Sequence, residues 1–103
     1  MKFEFQHGFE QQEALDRVRA LTDYWSIRHG VNVEWKGNVA TVAGKAKGIS
    51  FSGHFVVDEK MLSASMKVGF LAERLGGRSY VEGKLRDYLN PANSLETLRA
   101  RIG

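Results

Sequence analysis

Phe3 and Phe5 alternate with Lys2, Glu4 and Gln6, the period-two pattern of a strand with one buried face. The period then changes. Ala14, Val18, Leu21 and Trp25 recur at spacings of four, three and four, with Leu15 and Tyr24 widening the stripe, and predict an amphipathic helix. Glu10 and Glu13 stand at the spacing of a capping box, and Phe9 is placed as a hydrophobic staple against Ala14. His29-Gly30 marks the far end, because glycine takes the left-handed terminal conformation without a steric penalty.

Alternation resumes with Val31, Val33 and Trp35 against Asn32, Glu34 and Lys36, followed by Gly37-Asn38 as a two-residue hairpin turn. That turn sets Trp35 opposite Ala40, Val33 opposite Val42 and Val31 opposite Gly44, with the large apolar residues on one face. A turn over Lys45-Ala46-Lys47-Gly48 leads into Ile49, Phe51, Gly53, Phe55 and Val57. A further turn at Asp58-Glu59 starts the return strand, with Phe55 expected opposite Leu62, Phe51 opposite Met66 and Ile49 opposite Val68. Phe70 to Leu75 begin a helical stretch that Gly76-Gly77 interrupts. Ser79 and Glu82 offer a second capping box ahead of the stripe Val81, Leu85, Tyr88 and Leu89. Asn90-Pro91 ends that helix, since the residue before a proline avoids helical geometry.

A last short helix is expected from about Asn93, with Leu95, Leu98 and Ile102 on one side. The order β-α-β-β-β-β-α plus a short C-terminal helix predicts an α+β fold: a single antiparallel sheet of about five strands with the helices packed on one face. Residues 1–90 read as one domain and 91–103 as a helical C-terminal extension.

Composition narrows the functional classes. A chain of 103 residues is one domain in length, and the absence of cysteine removes disulfides, thiolate nucleophiles and most structural zinc sites. The first residues carry no apolar leader, and no run approaches the ~18 apolar residues of a membrane span, so a cytoplasmic protein is expected. The net charge of +3 is spread thinly: Arg17 and Arg19 sit between Asp16 and Asp23, and Arg86 is followed by Asp87. A mixed-charge surface follows. Nucleic acid is not an expected partner, and Lys36, Lys45 and Lys47 are the cations such a partner would use.

Candidate chemistry is sparse. Ser52 and His54 share a strand face but lie roughly 6.6–6.8 Å apart along it, too far for a nucleophile and its base. Gly48-Ile49-Ser50-Phe51-Ser52 lacks the last glycine of a nucleophile elbow, and Gly44-Lys45 lacks the upstream glycine of a phosphate loop. His7, His29 and His54 are scattered without metal-ligand spacing. No catalytic residue, metal or cofactor is expected, and the chain does not read as an enzyme.

Surfaces are the remaining candidates. The expected inner row Trp35, Ala40, Gly53, Ala64 sets one very large side chain beside three very small ones. Such a hollow either admits the helices closely or forms a small apolar-ligand pocket walled by Trp35 and Phe55. On the outer face the centre of the sheet reads Thr41, Ser50, Ser52, His54, Ser63 and Ser65, short and uncharged apart from the histidine. A flat face of that kind is cheap to desolvate and is a candidate contact surface. Leu95, Leu98 and Ile102 of the tail form a second candidate patch, or else pack on their own domain.

The order of features resembles a known family. A strand ending in His7, then Phe9 and a Glu/Gln-rich helix start running into Ala14, is similar to the opening of the polyhydroxyalkanoic acid system family. So are Trp35-Lys36-Gly37-Asn38, the segment Gly48 to Gly53, Val68-Gly69-Phe70-Leu71, and the spacing of Glu82, Leu85 and Leu89. The resemblance covers roughly residues 3 to 89. It departs at Glu10, where the family usually offers a better N-cap, and at Pro91 to Gly103, which extend beyond it. The resemblance implies a small bacterial protein associated with polyhydroxyalkanoate storage-polymer systems, and it brings no catalytic residues. The implied function is that of a non-catalytic accessory protein, with a second copy of the chain, or a polyhydroxyalkanoate granule or granule protein, as expected partners.

Overall fold

The structure, a computed structural model, describes residues 2–46, 48–69 and 76–102. Along the chain run β1 (Lys2–Gln6), α1 (Gln11–His29), β2 (Asn32–Lys36), β3 (Val39–Ala46), β4 (Ile49–Val57), β5 (Met61–Val68), α2 (Gly77–Tyr88) and α3 (Leu95–Ala100). The strands form one sheet in the order β1-β5-β4-β3-β2, every neighbouring pair antiparallel. This is the α+β architecture that the alternating and helical periods predict. The helical stretch expected from Phe70 to Leu75 lies outside the described residues.

The first hairpin has the expected register, with Trp35 opposite Ala40 and Val33 opposite Val42 across a turn in which Gly37 has φ 59°. The two later pairings are each displaced by two residues. Asp58 N–H donates to the Met61 carbonyl at 2.8 Å, so the turn is centred on Glu59 and Lys60. Phe55 therefore meets Ala64 and Val57 meets Leu62, where Phe55 had been expected opposite Leu62. Between β3 and β4, Gly48 with φ 78° sits between the paired residues Ala46 and Ile49, and Ala40 meets Phe55. Moving a turn centre by one residue moves the register by two, so every side chain keeps its face.

The buried face is organised around Trp25. Its indole is fully buried against Phe51 and Phe55, with ring centroids 5.0 and 6.1 Å away, and its N–H donates to Tyr80 Oη at 3.1 Å. One side chain thus joins α1, the sheet and α2. α1 ends as expected at Gly30, which is left-handed (φ 69°) and whose N–H reaches the Ser26 carbonyl.

Neither predicted capping box forms. Glu10 makes no cap bond, and Glu13 instead accepts from Arg17 Nε at 3.0 Å. α2 begins at Gly77, which places Ser79 inside its first turn, and Glu82 pairs with Arg86 at 2.7 Å. The segment after Asn90 is part of the packed structure. Ser94 caps α3 by accepting from Thr97 N–H at 3.1 Å, Leu98 is 0% exposed, and Arg101 pairs with Asp87. Leu98 is therefore withdrawn from the external patch expected of the tail, and Leu95 and Ile102 beside it are half-buried.

Candidate functional site

Because successive side chains of a strand point to opposite faces, burying one face of the sheet leaves the other to be covered or wet. Phe3, Val42, Phe51, Phe55, Leu62 and Met66 are buried on the inner side, on which α1 packs. Among the described residues no helix lies on the outer side: Thr41, Ser50 and His54 are exposed, and Ser52, Ser63 and Ser65 half-exposed. All six residues expected on a contact surface thus share this open face.

The corrected registers fix which of them are neighbours. One row across the five strands reads Glu4, Ser63, Val56, Val39, Lys36, and the next Lys2, Ser65, His54, Thr41, Glu34. A third reads Lys67, Ser52, Ala43, Asn32, and Ser50 lies opposite Lys45 beyond it. His54 accordingly stands between Ser65 and Thr41, where Ser63 had been expected beside it. Ser52 stands between Lys67 and Ala43, again two residues along from the neighbours that the expected inner row implies, Ser65 and Thr41. The centre is neutral and short-chained, and charge is confined to the margins. Of these marginal pairs, Lys36 and Glu34 approach to 3.9 Å with both side chains largely in water.

The hollows of this face are about 190 Å³ beside His54, Ser63 and Ser65 and about 240 Å³ over Thr41 and Ala43, and a third of about 420 Å³ by Ser50 and Ser52 reaches round the end of the sheet to Phe51 and Val68. The central groups are hydroxyls, methyls and one imidazole, with the carboxylates of Glu4 and Glu34 on the outermost strands. That arrangement lends itself to contact over an area more than to chemistry at a point.

The inner hollow does not survive the register correction. Phe55, not Gly53, stands between Ala40 and Ala64, and it is fully buried against Trp25. Trp35 leans on the helix layer, its indole N–H donating to Thr22 Oγ1 at 3.2 Å with the Arg19 guanidinium 5.2 Å above the ring. The space on which an apolar pocket was expected is filled by aromatic side chains. Gly53 pairs with Val42 and Met66, where an added β-carbon would lie 2.1 Å from the Ser65 carbonyl oxygen.

Besides Thr22, two ionisable residues are buried that the pattern of charges leaves on the surface or unassigned. Arg17, 3% exposed, donates from Nη1 to the carbonyls of Tyr88 and Asn90 at 3.1 and 3.2 Å, and its guanidinium lies 4.1 Å over the Phe9 ring. It satisfies carbonyls at the C-terminus of α2 that have no intrahelical partner. Its position, three after Ala14 and four before Leu21, was the available signal. His7 is buried with Nε2 3.0 Å from the Asp58 carbonyl, fastening β1 to the β4–β5 turn. Burial pushes the Tyr80 and Tyr88 phenols above their ordinary range, and Asp87 does the same for Arg101. All three belong to the helix layer. Among the described residues no three His, Asp or Glu side chains come together as a metal site, and no helix is long and apolar enough to cross a membrane.

Comparison with known proteins returns no match among curated proteins or solved structures. One family model does match, described as "Putative polyhydroxyalkanoic acid system protein" and aligned over residues 1–92. With nine-tenths of its length inside that model, the chain belongs to this polyhydroxyalkanoic acid system family.

Proposed function

We propose that the chain is a non-catalytic accessory protein of polyhydroxyalkanoate metabolism that works in the cytoplasm through contacts made by its open sheet face. The observation that carries the reading is the outer face, uncovered among the described residues, neutral at its centre and charged only at its margins. Serine, threonine, valine and alanine give up water at a far lower cost than lysine or glutamate, and interface centres are depleted of charge for that reason. Family membership supplies the setting, a storage-polymer system. The apolar-ligand reading loses its support with the filling of the space between Ala40 and Ala64 by Phe55.

The test is co-sedimentation with isolated granules, protein coat included, of the wild type and of a Ser52→Arg/Ser65→Arg variant. Both positions are half-exposed on the open face, so arginine there leaves the core intact while making the face costly to cover.

A further inference from the structure

We infer that the open sheet face is covered by a second copy of this chain, the two sheets stacked face to face about a two-fold axis running along β4. The inference rests on the reading of that face as a contact surface and names its occupant, so that any granule contact is made by the assembled pair and is lost when the pair comes apart.

The charges at the two edges of the sheet carry the argument. On β1 the outward residues are Lys2 and Glu4, and on β2, at the opposite edge, they are Glu34 and Lys36. Lys2 and Glu34 end the same row, and Glu4 and Lys36 end the next. The signs thus run in opposite order on the two edges. β4 is the central strand of the five. A two-fold axis along it lays the β1 edge of one copy over the β2 edge of the other, so that Lys2 meets Glu34 and Glu4 meets Lys36. Symmetry repeats both pairs, giving four complementary contacts around a neutral centre. An axis across the strands sets Lys2 over Lys2 and Glu34 over Glu34 when it runs through their row, and Lys2 over Glu4 and Glu34 over Lys36 when it runs midway between the two rows. The axis along β4 is the one that matches the two different edges to each other, so it alone is broken by reversing one edge and restored by mixing the two reversals; a symmetric dimer must be self-complementary in this sense.

The centre suits the arrangement. On the axis, Val56, His54 and Ser52 of one copy face their own counterparts, while Ser63 faces Val39 and Ser65 faces Thr41. None of these is charged except by protonation of His54, and short side chains let two sheets approach to the usual separation of roughly 10 Å. Lys45 and Lys67 fall at one open end, where long stems carry the ammonium groups into water. Strands of five, eight, nine, eight and five residues about 4.8 Å apart define a face of roughly 570 Å² per copy, at the low end for a specific interface, where the standard is roughly 800 Å² per partner.

Sedimentation of the full chain at tens of micromolar is expected to give twice the monomer mass of 11.6 kDa. Lys2→Glu/Glu4→Lys is expected to weaken the dimer roughly tenfold or more, as is Glu34→Lys/Lys36→Glu, since each turns four attractions into four repulsions. Mixing the two variants is expected to restore a dimer, because each reversed edge then meets the other reversed edge. All four side chains are exposed, so the fold is not at stake. A monomeric wild type, a dimer indifferent to either reversal, or a mixture that stays monomeric overturns the inference. A monomeric wild type whose granule binding is still lost in Ser52→Arg/Ser65→Arg overturns the second copy and leaves the contact face standing. A charge-dependent dimer that ignores granules supports the second copy and removes the granule as a partner.

Discussion

Arg17 bonds to Glu13 on its own helix, to the carbonyls of Tyr88 and Asn90, and stacks on Phe9. A buried guanidinium with this many partners is a structural clamp between α1 and the end of α2. Replacing it with alanine leaves the Tyr88 carbonyl unpaired, while the Asn90 carbonyl keeps the Asn93 N–H, and a loss of about 1–3 kcal/mol is expected in urea unfolding. Arg17→Lys is expected to recover little of that, because a single ammonium cannot bridge both carbonyls while stacking on an aromatic ring. Wild-type stability in the lysine variant would show that charge alone suffices. Gly53 is fixed by space. Its missing β-carbon would sit 2.1 Å from the Ser65 carbonyl oxygen and 2.8 Å from Met66 Cα, both backbone atoms that cannot swing aside. Gly53→Ala is expected to cost about 2–4 kcal/mol by forcing β4 and β5 apart, read from the same unfolding curves.

At the scale of elements, the segment after Asn90 is expected to behave as a stabilising part of the fold and not as a detachable module. Leu98 is fully buried, and α3 is tied back through Arg101 to Asp87. Leu98→Ala is expected to lower stability by about 2–4 kcal/mol. A near-neutral result would return α3 to the role of an appendage. The elements also show what could be read from the chain in advance. The assignment of residues to sheet faces was legible, since alternation depends only on parity and survives a displaced turn. The identity of cross-strand neighbours was not, because placing Asp58-Glu59 rather than Glu59-Lys60 at the turn shifts every partner by two. The place of β1 was hidden altogether. Its pairing with β5 joins residues some sixty positions apart, such as Lys2 and Ser65, and no local pattern announces it. That pairing is what carries Lys2 and Glu4 to the far edge of the open face. Arg17 was missed for a related reason: an arginine among apolar residues reads as surface until the carbonyls it serves, seventy residues later, are in place.

The whole molecule divides into two sides. One is a helix layer with Trp25 at its centre and clamped by Arg17; the other, among the described residues, is a bare sheet with little besides small neutral groups in the middle. The first side accounts for stability and leaves the second free to differ from a solvated surface. The central claim, that the second side makes the contacts through which the protein acts in a storage-polymer system, is tested most directly by co-sedimentation with native polyhydroxyalkanoate granules. Wild type and Ser52→Arg/Ser65→Arg are compared at matched thermal stability. The account predicts that the wild type pellets with granules and the variant stays in the supernatant, both unfolding at similar temperatures. A variant that pellets like the wild type, or a wild type that does not pellet at all, would contradict it.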